Sequence, residues 1–301
     1  MKPAPFEYQA PESLDAALEV LAQAAGTGDA KILAGGQSLI PVMNFRLAEP
    51  ALLIDINRLS ELDFLDAADG GGLRIGALVR QRRLERDPLV ARAAPLLAEA
   101  VPFVAHPQIR NRGTFGGSLA HADPAAELPA IAVALGARFR LRKAGGDRWV
   151  EARDFFTGLF STALEPDEML TEVVIPPLPP GTGWAFLEVA RRHGDYAQVG
   201  VAALVTLDDS GRCRSARLVY LSVGDGPVVA DGAAGLLAGE ELSPAVIAAA
   251  ADKVARDEID PLGDIHASPE FKRHLARVLT GRALRRAAER ARPGTTSRIP
   301  A

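Results

Sequence analysis

The chain has 301 residues, 48% of them hydrophobic, with a formal net charge of −4 and a pI near 5.8. That is apolar material for about two buried cores, which excludes a disordered chain. The acidic balance and the 5% aromatic content argue against a nucleic-acid binder, which needs a basic footprint or a stacking platform.

One cysteine, Cys213, holds neither an internal disulfide nor an iron–sulfur cluster. The N-terminal residues lack the apolar core of a signal peptide, and no apolar run nears the ~20 residues of a membrane span. The expectation is a cytoplasmic protein.

In chain order, Ser13 precedes Leu14, Ala17, Leu18 and Leu21, one face of a helix that residues 26–29 end. Residues 31–34 read as a short strand broken by Gly35-Gly36, and Ser38 opens a short segment ending near Pro50. A buried strand follows over 51–56. Residues 64–68 and 73–79 flank Asp69-Gly70-Gly71-Gly72, a hairpin signal. Residues 81–100 are helical, interrupted at Pro88 and Pro95. Asp123 then Pro124 fits N-cap and first turn of a helix running to about Leu135. A second hairpin spans 138–152, and 168–175 is a strand closed by Pro176-Pro177.

The proline-rich run 176–181 reads as a domain boundary. Beyond it, strands are expected over 185–191, 199–207 and 216–223, and helices from Ser243-Pro244 and Ser268-Pro269. The basic run 277–290 reads as a solvated helix face. A small sheet covered by helices on one side is an α+β arrangement. The expected domains are 1–176, with lobes of about 1–57 and 58–176, and 177–301.

Two stretches share one grammar. Lys31-Ile32-Leu33-Ala34-Gly35-Gly36-Gln37-Ser38-Leu39 and Thr114-Phe115-Gly116-Gly117-Ser118 each carry twin glycines followed closely by serine. Neither matches the dinucleotide fingerprint or the phosphate loop. Residues alone leave two alternatives open: tight turns, or two sides of one diphosphate-containing ligand whose anion meets converging N–H groups.

Ala34 to Pro41, Arg110 to Ser118 and Ala122 to Pro129, in that order, resemble the FAD-binding medium subunit of the xanthine dehydrogenase / carbon monoxide dehydrogenase family of molybdenum hydroxylases. Arg191-Arg192-His193-Gly194-Asp195-Tyr196 is similar to a third block of that family, and residues 271–279 also resemble it. The resemblance implies an α+β fold: a two-lobed FAD-binding domain of the PCMH (vanillyl-alcohol-oxidase) type, then a small α+β C-terminal domain. It implies FAD held non-covalently between them, with Lys31 to Leu39 and Thr114 to Ser118 around the diphosphate and ribityl chain. Ala105, Asp123 and Glu127 match cofactor-contact positions, with Glu127 suited to a sugar hydroxyl. Leu170 matches an apolar contact and Tyr196 an aromatic near the isoalloxazine ring. Family members often carry Lys near position 187 or 188; here those residues are Leu187 and Glu188.

The resemblance further implies partners. Electrons would leave molybdopterin on a large subunit, pass two [2Fe–2S] clusters on a small subunit, and reach FAD in this chain. The acceptor would be NAD, a quinone or O2, and the assembly a dimer of heterotrimers. No catalytic residue and no resident metal is then needed. The competing possibilities are a stand-alone flavin oxidoreductase and a flavin-free assembly protein. Among other residues, His106 offers packing or covalent flavin attachment, and His121 beside Asp123 resembles a metal fragment without a cluster. Arg110 and Arg112 offer an exposed basic loop or a dock for phosphates or the iron–sulfur subunit. Cys213 reads as inert.

Overall fold

Ser13 starts the first helix because its hydroxyl accepts the otherwise orphaned N–H of Ala16 at 3.2 Å. That helix, α1 (Leu14–Ala24), follows β1 (Glu7–Gln9) and precedes β2 (Ala30–Leu33), α2 (Leu39–Asn44) and β3 (Leu52–Asp55). The structure, a computed structural model, describes residues 2–26 and 28–292. Thr27, in the turn expected to end α1, lies outside the described residues, as do Met1 and 293–301 of the expected second domain. The first lobe is a parallel three-stranded sheet in the order β1-β3-β2. The apolar stripe Leu14, Ala17, Leu18 and Leu21 packs with Ile54, Ile56, Leu59 and Leu62.

The second lobe begins with β4 (Leu65–Ala67) and β5 (Leu73–Gly76), then α3 (Gln81–Arg86), α4 (Pro88–Ala93) and α5 (Pro95–Ala100). Each proline is the first helical residue, so the apolar stretch becomes three short helices; proline has no N–H to continue a helix through. Next come α6 (Pro107–Arg110), α7 (Phe115–His121), α8 (Glu127–Ala134), β6 (Arg138–Lys143) and β7 (Gly146–Glu151). The short elements α9 (Ala152–Phe155), β8 (Phe156–Gly158) and β9 (Ser161–Thr162) lead to β10 (Met169–Ile175). The sheet is antiparallel, ordered β4-β5-β10-β6-β7.

The remainder is β11 (Thr182–Ala190), β12 (Ala197–Leu207), β13 (Cys213–Leu221) and β14 (Val228–Val229), an antiparallel sheet in sequence order. The helices α10 (Asp231–Leu237), α11 (Pro244–Lys253) and α12 (Pro269–Ala291) follow. Ser243 and Ser268 cap α11 and α12 through Val246 N and Phe271 N. One face of this sheet packs on its own helices, through Ala185, Val199, Val201, Tyr220, Leu279 and Ala283. The opposite face carries Phe186, Ala202 and Val219 into the core of the second lobe, against α5 and α8. Helices therefore cover both faces, the second set coming from the preceding domain.

Three expectations change. The helix after Asp123-Pro124 starts later, at Glu127, with Ala126 extended before it. Asp123 caps only a turn, accepting from Ala125 N at 2.9 Å, because the Pro124 carbonyl is taken by the Ser222 N–H at 2.8 Å across the domain seam. The second glycine stretch is the start of α7 and not a loop: Thr114 caps it through Gly117 N at 3.0 Å. The arginines of the basic run are exposed except Arg290, which donates to Glu99 at 2.5 Å and to the Trp184 carbonyl at 2.7 Å while lying over the Trp184 ring.

Candidate functional site

The loop after β2 and the start of α7 are pressed together. A Cβ on Gly35 would collide with the Arg112 carbonyl oxygen and lie 2.8 Å from Gly113 Cα, so only glycine allows this approach. Gly36 takes φ +71. Among the described residues, the N–H groups of Gly35, Gly36, Gln37, Ser38 and Leu39 meet no protein acceptor. A run of uncommitted N–H donors around a left-handed residue, leading into a helix, is a backbone nest for an anion. These are the donors a diphosphate requires, so the residues present fit the cofactor that the sequence resemblance implies.

The second stretch contributes differently from the expectation. Phe115 N donates to the Val79 carbonyl and Gly116 N to the Ala77 carbonyl, while Gly117 N is used by Thr114 Oγ1. Its donors are thus spent inside the protein, and Phe115 fills the core. Gly116 is buried against Ala77, and Gly117, whose Cβ position lies 3.6 Å from Ala34 Cβ, leaves the helix surface free of side-chain bulk beside the first loop.

Two residues missed by sequence reasoning hold the stretches in register. Asn57 Nδ2 donates to the Ala34 carbonyl at 2.7 Å. Arg80 donates to Asn57 Oδ1 at 2.7 Å and to the Arg112 carbonyl at 2.5 Å. An asparagine after one strand and an arginine before one helix carry no local signature; only the fold joins them. Arg80→Ala removes both bonds, at about 1–3 kcal/mol for the groups left unpaired. We expect FAD affinity to fall about tenfold to hundredfold, measured by titration, with the fold retained by circular dichroism.

The other expected residues fall into two groups. Asp123 and Glu127 lie within electrostatic reach of Tyr196: desolvation, then the Asp123 and Glu127 charges, raise the Tyr196 pKa. Tyr196 is 70% exposed and Glu127 is 6% exposed, at the first position of α8 rather than one turn in. Burial, with Asp123 adding to it against the pull of Arg110, pushes the Glu127 carboxyl up to about 7. Ala105 holds a left-handed φ of 43 and lies against Gly194, whose position leaves no room for a Cβ beside the His106 ring. Leu170, by contrast, sits in the second-lobe core on β10, which packs against α7.

Arg110 is neither an exposed loop residue nor a dock. It is buried, paired with Glu85 at 3.0 Å, and donates to the carbonyls of Pro102, Val104 and Ala105. Arg112 is exposed. Burial lowers the His121 pKa, with Lys31 nearby and the Phe160 ring 5.3 Å away. No group of three or more potential ligands for a metal occurs among the described residues. Burial pushes the Cys213 thiol up to about 11, as an unreactive thiol requires.

Residues 4–178 match the family described as the FAD binding domain in molybdopterin dehydrogenase, and 184–287 match the CO dehydrogenase flavoprotein C-terminal domain. The chain belongs to this FAD-binding family. The flavoprotein is 43% identical to the 6-hydroxypseudooxynicotine dehydrogenase complex subunit alpha of Paenarthrobacter nicotinovorans, over 97% of this chain and 98% of the relative. It is 39% identical to the carbon monoxide dehydrogenase medium chain of Hydrogenophaga pseudoflava, over 94% and 97%.

Among solved structures, carbon monoxide dehydrogenase from Hydrogenophaga pseudoflava superposes with a TM-score of 0.92 at 38% identity, covering 96% of this chain and 99% of that one. Quinoline 2-oxidoreductase from Pseudomonas putida 86 gives 0.90 at 40%, covering 97% and 99%. The flavoprotein is therefore an FAD-binding medium subunit of the molybdenum hydroxylase type, and its relatives are dehydrogenase subunits. No helix among the described residues is long and apolar enough to cross a membrane.

Proposed function

We propose that this flavoprotein is the electron-transfer subunit of a molybdenum hydroxylase complex. It receives electrons from [2Fe–2S] clusters of a small partner, fed by molybdopterin in a large partner, and delivers them to an external acceptor such as NAD, a quinone or O2. Bound FAD supplies the redox chemistry, and the chain supplies position and electrostatics. The observation that carries this is the nest at 35–39, clamped by Asn57 and Arg80 against the start of α7.

Within this proposal Lys31 to Leu39 surround the diphosphate, and Thr114 to Ser118 give it a close, uncluttered wall. Glu127 and Asp123 face the sugar chain, Ala105 and Tyr196 face the ring system, and Leu170 backs α7. FAD is held non-covalently, and the FAD-binding domain covers 1–176 with the C-terminal domain over 177–301. The intact nest speaks against a flavin-free assembly protein.

The chain purified with its partners is expected to contain one FAD, and stripping that FAD should stop reduction of the acceptor while substrate still reduces the iron–sulfur clusters. A colourless chain that takes up no FAD would sink the proposal. An isolated chain that oxidises a substrate without partners would favour the stand-alone flavin oxidoreductase.

A further inference from the structure

Side chains alternate along β11. Trp184 and Phe186 enter the core shared with the preceding domain, whereas Ala185, Leu187 and Val189 pack toward the C-terminal helices. By that alternation Glu188 points into the seam between the domains. It lies opposite Gly200 in the β11–β12 ladder, and its Cβ lies 3.3 Å from where a Gly200 Cβ would stand.

The Glu188 Oε2 atom is buried and has no hydrogen-bond partner among the described residues. An unsatisfied buried carboxyl oxygen is costly, and a native site supplies it a partner. The side chain that acts on it electrostatically is Glu127, from α8. Glu127 in turn sees Asp123 and, as its positive neighbour, Arg110, which is already committed to Glu85. Around the same seam stand Tyr196, His106 against Gly194, His193 edge-on to Phe103, and the Arg191–Asp195 pair. Among the described residues no cation acts on Glu188. Two carboxylates brought together in a low-dielectric seam without a counter-charge do not both ionise.

We propose that Glu188 is a flavin-contacting residue: it holds a proton at neutral pH and donates it in a hydrogen bond from Oε2 to bound FAD, so that loss of this proton loosens the cofactor. The inference rests on FAD lying against Glu127, as proposed above. Burial, and then the Glu127 charge, push the Glu188 carboxyl up to about 8. If the bound form keeps the proton, affinity is constant below that pKa and falls by up to about tenfold per pH unit above it. Ionised Glu188 would lose the donor and add a negative charge beside Glu127 and the cofactor's phosphates.

The test is a titration of the full-length apo chain with FAD, followed by flavin fluorescence from mildly acidic to alkaline pH, for wild type and Glu188→Gln. Glutamine keeps the shape and an N–H donor but cannot ionise. Wild type is expected to weaken by about tenfold or more across the alkaline limb, while Glu188→Gln binds FAD without such a limb. As an independent readout, the infrared band of a protonated carboxyl should be present in the wild-type apo chain at neutral pH, diminished at alkaline pH, and diminished at neutral pH in Glu188→Gln. FAD binding with the same pH profile in both proteins would overturn the role of Glu188 and leave the cofactor site standing. Failure of the wild type to bind FAD at any pH would overturn both.

Discussion

Gly35→Val will give a folded chain that binds no measurable FAD. Its Cβ would collide with the Arg112 carbonyl oxygen and crowd Gly113, so the loop after β2 must lift away from α7. Both Asn57 and Arg80 hold that loop by backbone carbonyls, Ala34 on one side and Arg112 on the other. A displacement of about 1 Å therefore breaks the clamp and scatters the run of N–H donors from Gly35 to Leu39. Site geometry that is off by this much costs on the order of a hundredfold even where the fold survives, and here the donors themselves are lost. Equilibrium titration with FAD, with circular dichroism to verify folding, decides it. Affinity within about threefold of wild type, a difference of well under 1 kcal/mol, would mean that the diphosphate does not depend on this contact.

The second large effect concerns stability. Gly183 on β11 lies directly beneath α12: a Cβ there would collide with the Ala287 carbonyl oxygen and stand 2.5 Å from Ala291 N. Both are helix backbone, which cannot rotate aside as a side chain can. Gly183→Val is expected to destabilise by about 4 kcal/mol or more, the range reserved for gross overpacking and lost core contacts. The same lift of α12 would pull Arg290 from Glu99 and the Trp184 carbonyl. A fall in the denaturation midpoint, together with new protease cleavage within 269–291, is the expected result. A wild-type midpoint would show that α12 does not rest on this strand.

What was legible in the sequence is what local chemistry decides. Ser13, Ser243 and Ser268 announce their helices because a cap needs only a hydroxyl and the next turn. Pro88 and Pro95 mark breaks because proline has no N–H to continue the preceding helix. The misplaced start of α8 shows the limit: Asp123-Pro124 is a good local signal, but Ser222, far along the chain, claims the Pro124 carbonyl. Arg110 failed similarly. An arginine in a polar loop sequence looks solvated until Glu85 and a ring of carbonyls enclose it. At the site, twin glycines drew attention to both stretches, yet they do not reveal that one stretch keeps its donors free while the other spends them on Ala77, Val79 and Thr114. Nor does any neighbour in sequence mark Asn57 or Arg80.

The sheet formed by β11 to β14 has one further consequence. Because one of its faces completes the core of the preceding domain, the two matched family segments are not detachable modules despite the proline-rich join between them. Separating them at 176–181 would strip Phe186, Ala202 and Val219 of their cover on one side, and α5 and α8 of theirs on the other. Heat or denaturant should therefore melt the chain in a single transition. Chimeras that exchange only one segment with a relative will need the matching seam residues from the same parent, so these two segments are expected to be inherited as a pair.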